Sequence, residues 1–341
     1  MIVQCNPNAN YLARKIEVDD AIAAVLSGGT YILGDMVEAF EKEFARYVGV
    51  RDAVGVANGT DAIEMALRAF NVGPGDSVIT VSHTAVATVS AIRRAGAQPI
   101  FVDVGHDCLM SSSHLEEVLS LPQARRAKAI IVVHLYGQCA DMPVIMKIAE
   151  EAGITVIEDC AQAHGATLDG RMAGSWGDVG CFSFYPTKNL GALGDGGAVV
   201  TGDKTIASRL RMIRQYGWRE RYVSDCDGIN SRLDEIQAAV LRIKLKYLDS
   251  DNQARQTIAQ RYRDFLGPAD IDLPVERTGS MHVYHQFVVQ LAGRERLRAY
   301  LARAGIATAV HYPKAVHQQP AFADPAYILV PIPVTERVIT R

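Results

Sequence analysis

The chain has 341 residues, of which 49% are hydrophobic and 21% charged, with a formal net charge of -3. That balance is ordinary for a globular protein and gives no general attraction to phosphodiester backbones or anionic membranes, so neither nucleic acid nor membrane is expected as a partner. There is no apolar run of bilayer length, no signal-peptide architecture in MIVQCNPNANYLARK and no Cys-x-x-Cys pair among the six cysteines, which together predict a reduced cytoplasmic enzyme.

From about Arg51 to Thr201 strand-like and helix-like patterns alternate. DAVGVAN reads as a short strand, and TDAIEMALRAF follows with apolar residues at helical spacing. A GPGD turn leads to strand SVITV, helix AVATVSAIRRAG and strand QPIFVDV. HLEEVL reads as helix, AKAIIVVHLYG as strand, PVIMKIAEEAG as helix and ITVIED as strand. Strands that are apolar throughout, separated by amphipathic helices, predict an α/β fold with a mostly parallel sheet covered on both faces. CFSFYPTKNLGALGDGGAVV then reads as strand, loop, strand. From Arg232 to Phe265 the pattern is long helix, bent or broken near LDSDNQ. It is followed by the loop LPVERTGS, a strand-like VYHQFVVQL, the helix ERLRAYLARAG and the segment IATAVHYP. A chain of this length exceeds a single core. The expected division is a large domain over residues 1–240 and a smaller α+β domain over 241–341, with the long helix as hinge.

Ligands of open α/β sheets bind at the carboxyl ends of the strands. Asn58-Gly59-Thr60-Asp61 lies between a strand and a helix. Gly59 permits close backbone approach, the helix start offers N–H groups to an anion, and Thr60 adds a hydroxyl. The same four residues also read as a plain N-cap and turn. Asp159 ends ITVIED, where an acid can cap the next turn or face a cationic ring nitrogen. Gln162 and His164 follow on the same loop. Lys188 sits in a loop between Pro186 and the glycines of GALGDGG. A lone loop lysine is as a rule a solvated charge. Here Ser183 can donate to a phosphate and the glycines allow tight packing around a ligand, conditions in which a lysine sheds its proton and forms a Schiff base. GALGDGG does not match the dinucleotide fingerprint, and no P-loop or nucleophile elbow is present. His311 and His317 lack carboxylates at ligand spacing, so no metal is expected.

In order along the chain, YILG, NGTDA, GPGD, SHTAVAT, FVDV, HLYGQCADM, VIEDCAQAHGA, GSWGDVGCFSFYPTKNLGALGDGGAVVT, INSRLDEIQAAVL, HYP and PVTE resemble the sugar aminotransferases of the DegT/DnrJ/EryC1/StrS family. These form a branch of the fold-type-I pyridoxal-phosphate enzymes, and the resemblance covers nearly the whole chain. It implies pyridoxal 5'-phosphate bound as a Schiff base to Lys188, which is also the proton carrier. Asp159 would pair with the pyridine nitrogen and Gln162 with the ring hydroxyl region. Gly59, Thr60 and Ser183 would hold the phosphate, and Asn230 would reach it from the other subunit of a homodimer with shared active sites. Tyr185, His311 and Tyr312 would lie near a nucleotide-linked keto-sugar, with glutamate as the amino donor. SHTAVAT and the QYGWRERY loop look most like enzymes of dTDP-3-keto-6-deoxyhexoses; a 4-keto-sugar or another nucleotide is the alternative. Dehydratases of the family carry histidine at the position of Lys188, and a non-catalytic regulatory relative would have lost the lysine or the phosphate cradle. Two departures stand out. Ala85 occupies a position where the family often stacks an aromatic on the cofactor ring, which leaves His83 as a candidate cover. The chain also stops at PVTERVITR, where members usually continue with another strand and helix, so a less stable protein or a looser substrate site is expected.

Overall fold

The computed structural model describes residues 1–267 and 269–341. Its centre is a seven-stranded sheet of β1 (Asp52–Val56), β2 (Ser77–Val81), β3 (Gln98–Val102), β4 (Ala127–Val133), β5 (Thr155–Asp159), β6 (Val179–Ser183) and β7 (Gly197–Thr201). The strand order is β1-β7-β6-β5-β4-β2-β3. Neighbours from β3 to β6 run parallel, as Ile79 opposite Ile100 and Ile131 opposite Ile157 illustrate. Only β7 reverses, pairing antiparallel with both β6 and β1. Every strand expected between Arg51 and Thr201 forms, because each is a short β-branched or apolar run that a doubly covered sheet can bury on both faces.

The sheet divides two apolar layers, and the strand period of two assigns side chains to them. Ile130 and Val132 of β4 join Phe40, Phe44, Phe182 and Phe184 on one side. Ala129 and Ile131 join Ile63, Met65, Leu67 and Ile92 on the other. The phenylalanines meet edge to face, Phe44 on Phe182 with centroids 4.9 Å apart. Helix α1 (Lys15–Gly28) packs on the later helix Glu235–Leu245; the first layer is backed by α2 (Asp35–Val48), the second by α3 (Gly59–Ala69) and α4 (Val86–Arg94). Helix α2 turns Asp35, Glu38, Lys42 and Arg46 outward, whereas Asp61 and Glu64 of α3 are buried.

The expected long helix is two, α5 (Glu235–Leu245) and α6 (Leu248–Leu266), broken just before LDSDNQ. VYHQFVVQL departs from expectation. It forms no strand, and its single ladder contact is the bridge between Gln290 and Asp272. An extended segment needs a neighbouring strand to satisfy its backbone. This segment turns instead to the loop after β4, where Val283 N–H donates to the Gly137 carbonyl at 2.9 Å. ERLRAYLARAG does fold as helix α7 (Arg294–Arg303). Farther on, Val316, Tyr327 and Ile332 pack onto Val89 and Phe101 of the large sheet region. Among the described residues no helix is long and apolar enough to cross a membrane, and all six cysteines are free thiols.

Candidate active site

A cavity of about 280 Å³ opens at the carboxyl ends of β1, β4, β5 and β6. Its lining joins Gly59 and Thr60, Thr84 and Ala85, Asp159 and Gln162, Ser183 and Tyr185, and Lys188. Four loops separated by up to 129 positions thus meet, as the strand-end rule requires.

The β1–α3 loop supplies an anion cradle. Asn58 caps α3, its side-chain oxygen accepting from Asp61 N–H at 2.8 Å, which is the plain capping arrangement. The first amides of the helix are directed to the cavity end, where they favour negative charge. Glycine is required at position 59: a Cβ there would stand 2.6 Å from Ser183 Cβ and 3.3 Å from its hydroxyl. Gly59 therefore lets the helix start and Ser183 close on one small space, which suits a phosphate.

Asp159 is buried at the end of β5 and held by two donors. Thr88 Oγ1 donates to Oδ2 at 2.8 Å, and Ala161 N–H donates to Oδ1 at 3.1 Å. Thr88 has one hydroxyl proton, so Thr84, 3.0 Å from it, donates in turn. Behind Asp159 lies a second acid. Glu158 is fully buried and accepts from Trp176 N–H and Gly177 N–H at 2.7 Å through Oε1. Through Oε2 it accepts from Gly174 N–H and His134 Nε2, both at 2.8 Å. His134 Nδ1 accepts from Ala140 N–H at 3.1 Å, which puts the ring proton on Nε2. His134, Glu158 and Cys160 are close enough to share a metal ion. However, both imidazole nitrogens are committed and burial drives the Cys160 thiol well above its ordinary range, so the cluster reads as a clamp on β5.

Lys188 lies in the loop after β6, its amide bonded to the Tyr185 carbonyl at 2.8 Å. Burial lowers its pKa while the nearby Asp159 carboxylate opposes the shift. An amine so placed reaches its neutral, nucleophilic form more readily than a surface lysine. Lys244 Nζ donates to the Gly191 carbonyl at 2.6 Å and braces the far end of the same loop.

Gln162 accepts from Tyr136 N–H at 2.7 Å and donates to Tyr312 Oη at 3.1 Å, so Tyr312 joins the site through it. Burial pushes the Tyr312 phenol up to about 12. Tyr136 Oη donates to the His311 carbonyl; His83 Nε2, 2.8 Å from that hydroxyl, must then be the donor of the pair. His83 is directed into this aromatic group and is not among the residues lining the cavity, whose apolar lining comes from Ala85, Ala87, Val133 and Leu135. His83 thus meets Tyr136 and Tyr312 at the edge of the site. Asn230 also lies off its own chain's cavity, exposed and bridged to Gln215. Sequence reasoning passed over Thr88 and Tyr136. The Thr84/Thr88 pair, four apart across the start of a helix, was a legible signal; Tyr136, in HLYGQ, offered none.

A mostly parallel sheet with its cavity at the strand ends, and the likeness to solved aminotransferases, make this a fold-type-I pyridoxal-phosphate enzyme. The chain belongs to the DegT/DnrJ/EryC1/StrS aminotransferase family, whose model matches residues 13–341. It is similar to a dTDP-3-amino-3,4,6-trideoxy-alpha-D-glucose transaminase of Streptomyces venezuelae, 47% identical over 319 residues that cover 93% of this chain and 83% of the relative. It is also similar to a UDP-N-acetyl-3-dehydro-alpha-D-glucosamine 3-aminotransferase of Acidithiobacillus ferrooxidans, 44% identical over 97% of this chain and 90% of that one. Among solved structures, S. venezuelae DesV in complex with a ketimine intermediate superposes with a TM-score of 0.94 at 44% identity. That match covers 100% of this chain and 91% of DesV. The protein is a pyridoxal-phosphate-dependent aminotransferase.

Proposed function

We propose that this enzyme moves the amino group of glutamate onto the C3 keto carbon of a nucleotide-linked sugar, with a dTDP-linked 3-keto-6-deoxyhexose as the preferred substrate. The single observation behind the residue assignment is the convergence of Gly59, Thr60, Asp159, Ser183 and Lys188 on one cavity. The substrate assignment is supported by the two similar relatives, whose names place the amino group at C3 on different nucleotides.

Pyridoxal phosphate supplies an electron sink and a carrier for the amino group. The amides of Gly59 and Thr60 and the Ser183 hydroxyl bind its phosphate. Asp159, fixed by Thr88 and Ala161, keeps the ring nitrogen protonated. Gln162 would bond the ring hydroxyl region. Lys188 would hold the cofactor and serve as the general base and acid for the donor's α-proton. Tyr185, His311 and Tyr312 bound the sugar. Residues 1–240 act as the cofactor domain and 241–341 as the smaller one. The working unit is a homodimer in which Asn230 reaches the partner's phosphate. In support, Asn230 lies off its own cavity, and the adjacent hairpin exposes Tyr222 by 73% and Val223 by 53%.

The test is a visible spectrum of the purified protein with pyridoxal phosphate, before and after glutamate, beside Lys188→Ala. A yellow band that glutamate bleaches, and that a dTDP-3-keto-sugar restores, is expected. Restoration only by a 4-keto-sugar or a UDP-sugar would move the substrate; no band at all would overturn the assignment of Lys188. Co-expressing Lys188→Ala with Asn230→Ala should recover part of the activity in mixed dimers if sites are shared.

A further inference from the structure

Beside Lys188 runs a buried polar chain that the cofactor-binding residues do not use. Asn189 is 8% exposed and Asn252, on α6, is 3% exposed. The Asn189 amide nitrogen donates to Asn252 Oδ1 at 2.8 Å and to the Val283 carbonyl at 2.9 Å. Asn252 donates to the His164 carbonyl at 2.9 Å. Main-chain carbonyls only accept, so each amide has a single possible orientation. Both amide hydrogens of Asn189 are spent, and its Oδ1 faces His285 Nδ1 at 3.2 Å. His285 must therefore carry its proton on Nδ1 and keep Nε2 as an acceptor. Gly165 makes the approach possible: its φ is +87°, and a Cβ there would lie 2.7 Å from Asn252 Nδ2. One asparagine thus ties the lysine loop to α6, to the loop after β5 and to the segment that failed to become a strand.

The charged and titratable groups around this chain are Asp159 at the end of β5, which acts on Lys188, and Arg255 of α6, His164 and His311, which with Lys188 act on His285. Burial holds His285 well below its ordinary pKa and His164 down to about 3, so both rings are neutral at pH 7.

We infer that Asn189, oriented by Asn252 and capped by the neutral His285, is a positioning residue for Lys188: it fixes the lysine loop and keeps uncharged groups beside the amine. The inference rests on Lys188 being the cofactor lysine. It is tested on the holoenzyme by pH titration of the visible band of bound pyridoxal phosphate and by the rate at which glutamate bleaches it. Asn189→Ala removes the donors to Asn252 and Val283, frees the lysine loop, shifts the titration midpoint by about half a unit or more and slows bleaching roughly tenfold. His285→Leu removes the donor to Asn189 and slows bleaching to a similar extent. His285→Asn, whose amide hydrogen stands near the place of Nδ1–H, keeps most of the rate. A wild-type midpoint and rate in Asn189→Ala overturn the inference, as does bleaching in His285→Leu that equals His285→Asn. If Asn189→Ala does not fold, the histidine pair decides alone. If the wild type itself never forms the band, the cofactor-lysine assignment fails and the inference with it; a normal wild type with unresponsive variants refutes the inference only.

Discussion

Replacing Glu158 by glutamine would change one atom's identity at the back of the active site, and the structure gives its cost. The carboxylate accepts four hydrogen bonds, two at each oxygen, from Trp176, Gly177, Gly174 and His134. An amide has one acceptor oxygen, so its NH₂ must face two donors whichever way it turns. Facing His134, it cannot be rescued by a proton shift on the ring, because Nδ1 is already an acceptor for Ala140 N–H. Two charge-assisted bonds in a site of 0% exposure are lost, at about 1.5–3 kcal/mol each, or about 3–6 kcal/mol together. With an unfolding entropy of about 2.1 cal/mol/K per residue, a chain of 341 residues should melt about 4–8 °C lower. Calorimetry of Glu158→Gln beside wild type, both without cofactor, measures this directly. A melting temperature within about 1 °C of wild type would refute the reasoning, since it would mean that the clamp on β5 contributes nothing net.

Thr88→Val keeps the side chain's shape but removes the donor to Asp159 at 2.8 Å. Affinity for pyridoxal phosphate, measured by absorbance titration, should fall about 10- to 100-fold; unchanged affinity would show that Asp159 is held adequately without Thr88. The pH dependence of stability follows from buried histidines. Burial depresses His83 to about 4 and His164 and His282 to about 3, against about 6.5 in the unfolded chain. Below 6.5 the unfolded state binds protons that the native state refuses, so stability is full above that value and falls as pH drops towards 4 and below, by up to about 3 kcal/mol for His83 alone. Urea midpoints that stay level between pH 7.5 and pH 4.5 would contradict this.

Strand runs such as AIIVV and ITVIED were readable by themselves because they are apolar and β-branched over a short span, and no helix of that length would be stable alone. The same holds for the Lys188 loop and the Asn58–Asp61 cap, whose meaning depends on residues a few positions apart. Local pattern therefore determined the sheet and its crossover helices, while the roles of the cavity residues were named by the family resemblance. It failed at VYHQFVVQL, where β-branched and aromatic content predicted a strand but no neighbour supplied a ladder, so the backbone bonded to Gly137 instead. His83, which the resemblance offered as a cover for the cofactor ring, bonds to the hydroxyl of Tyr136, 53 residues away, a partner no local pattern names. The partners of Asp159 and Asn189 lie 71 and 63 or more positions off in Thr88, Asn252 and Val283. Which groups hold the reacting side chains is a property of chain segments brought together by burial, and hydrogen-bond direction between them is settled only when both partners and their main-chain carbonyls are in place.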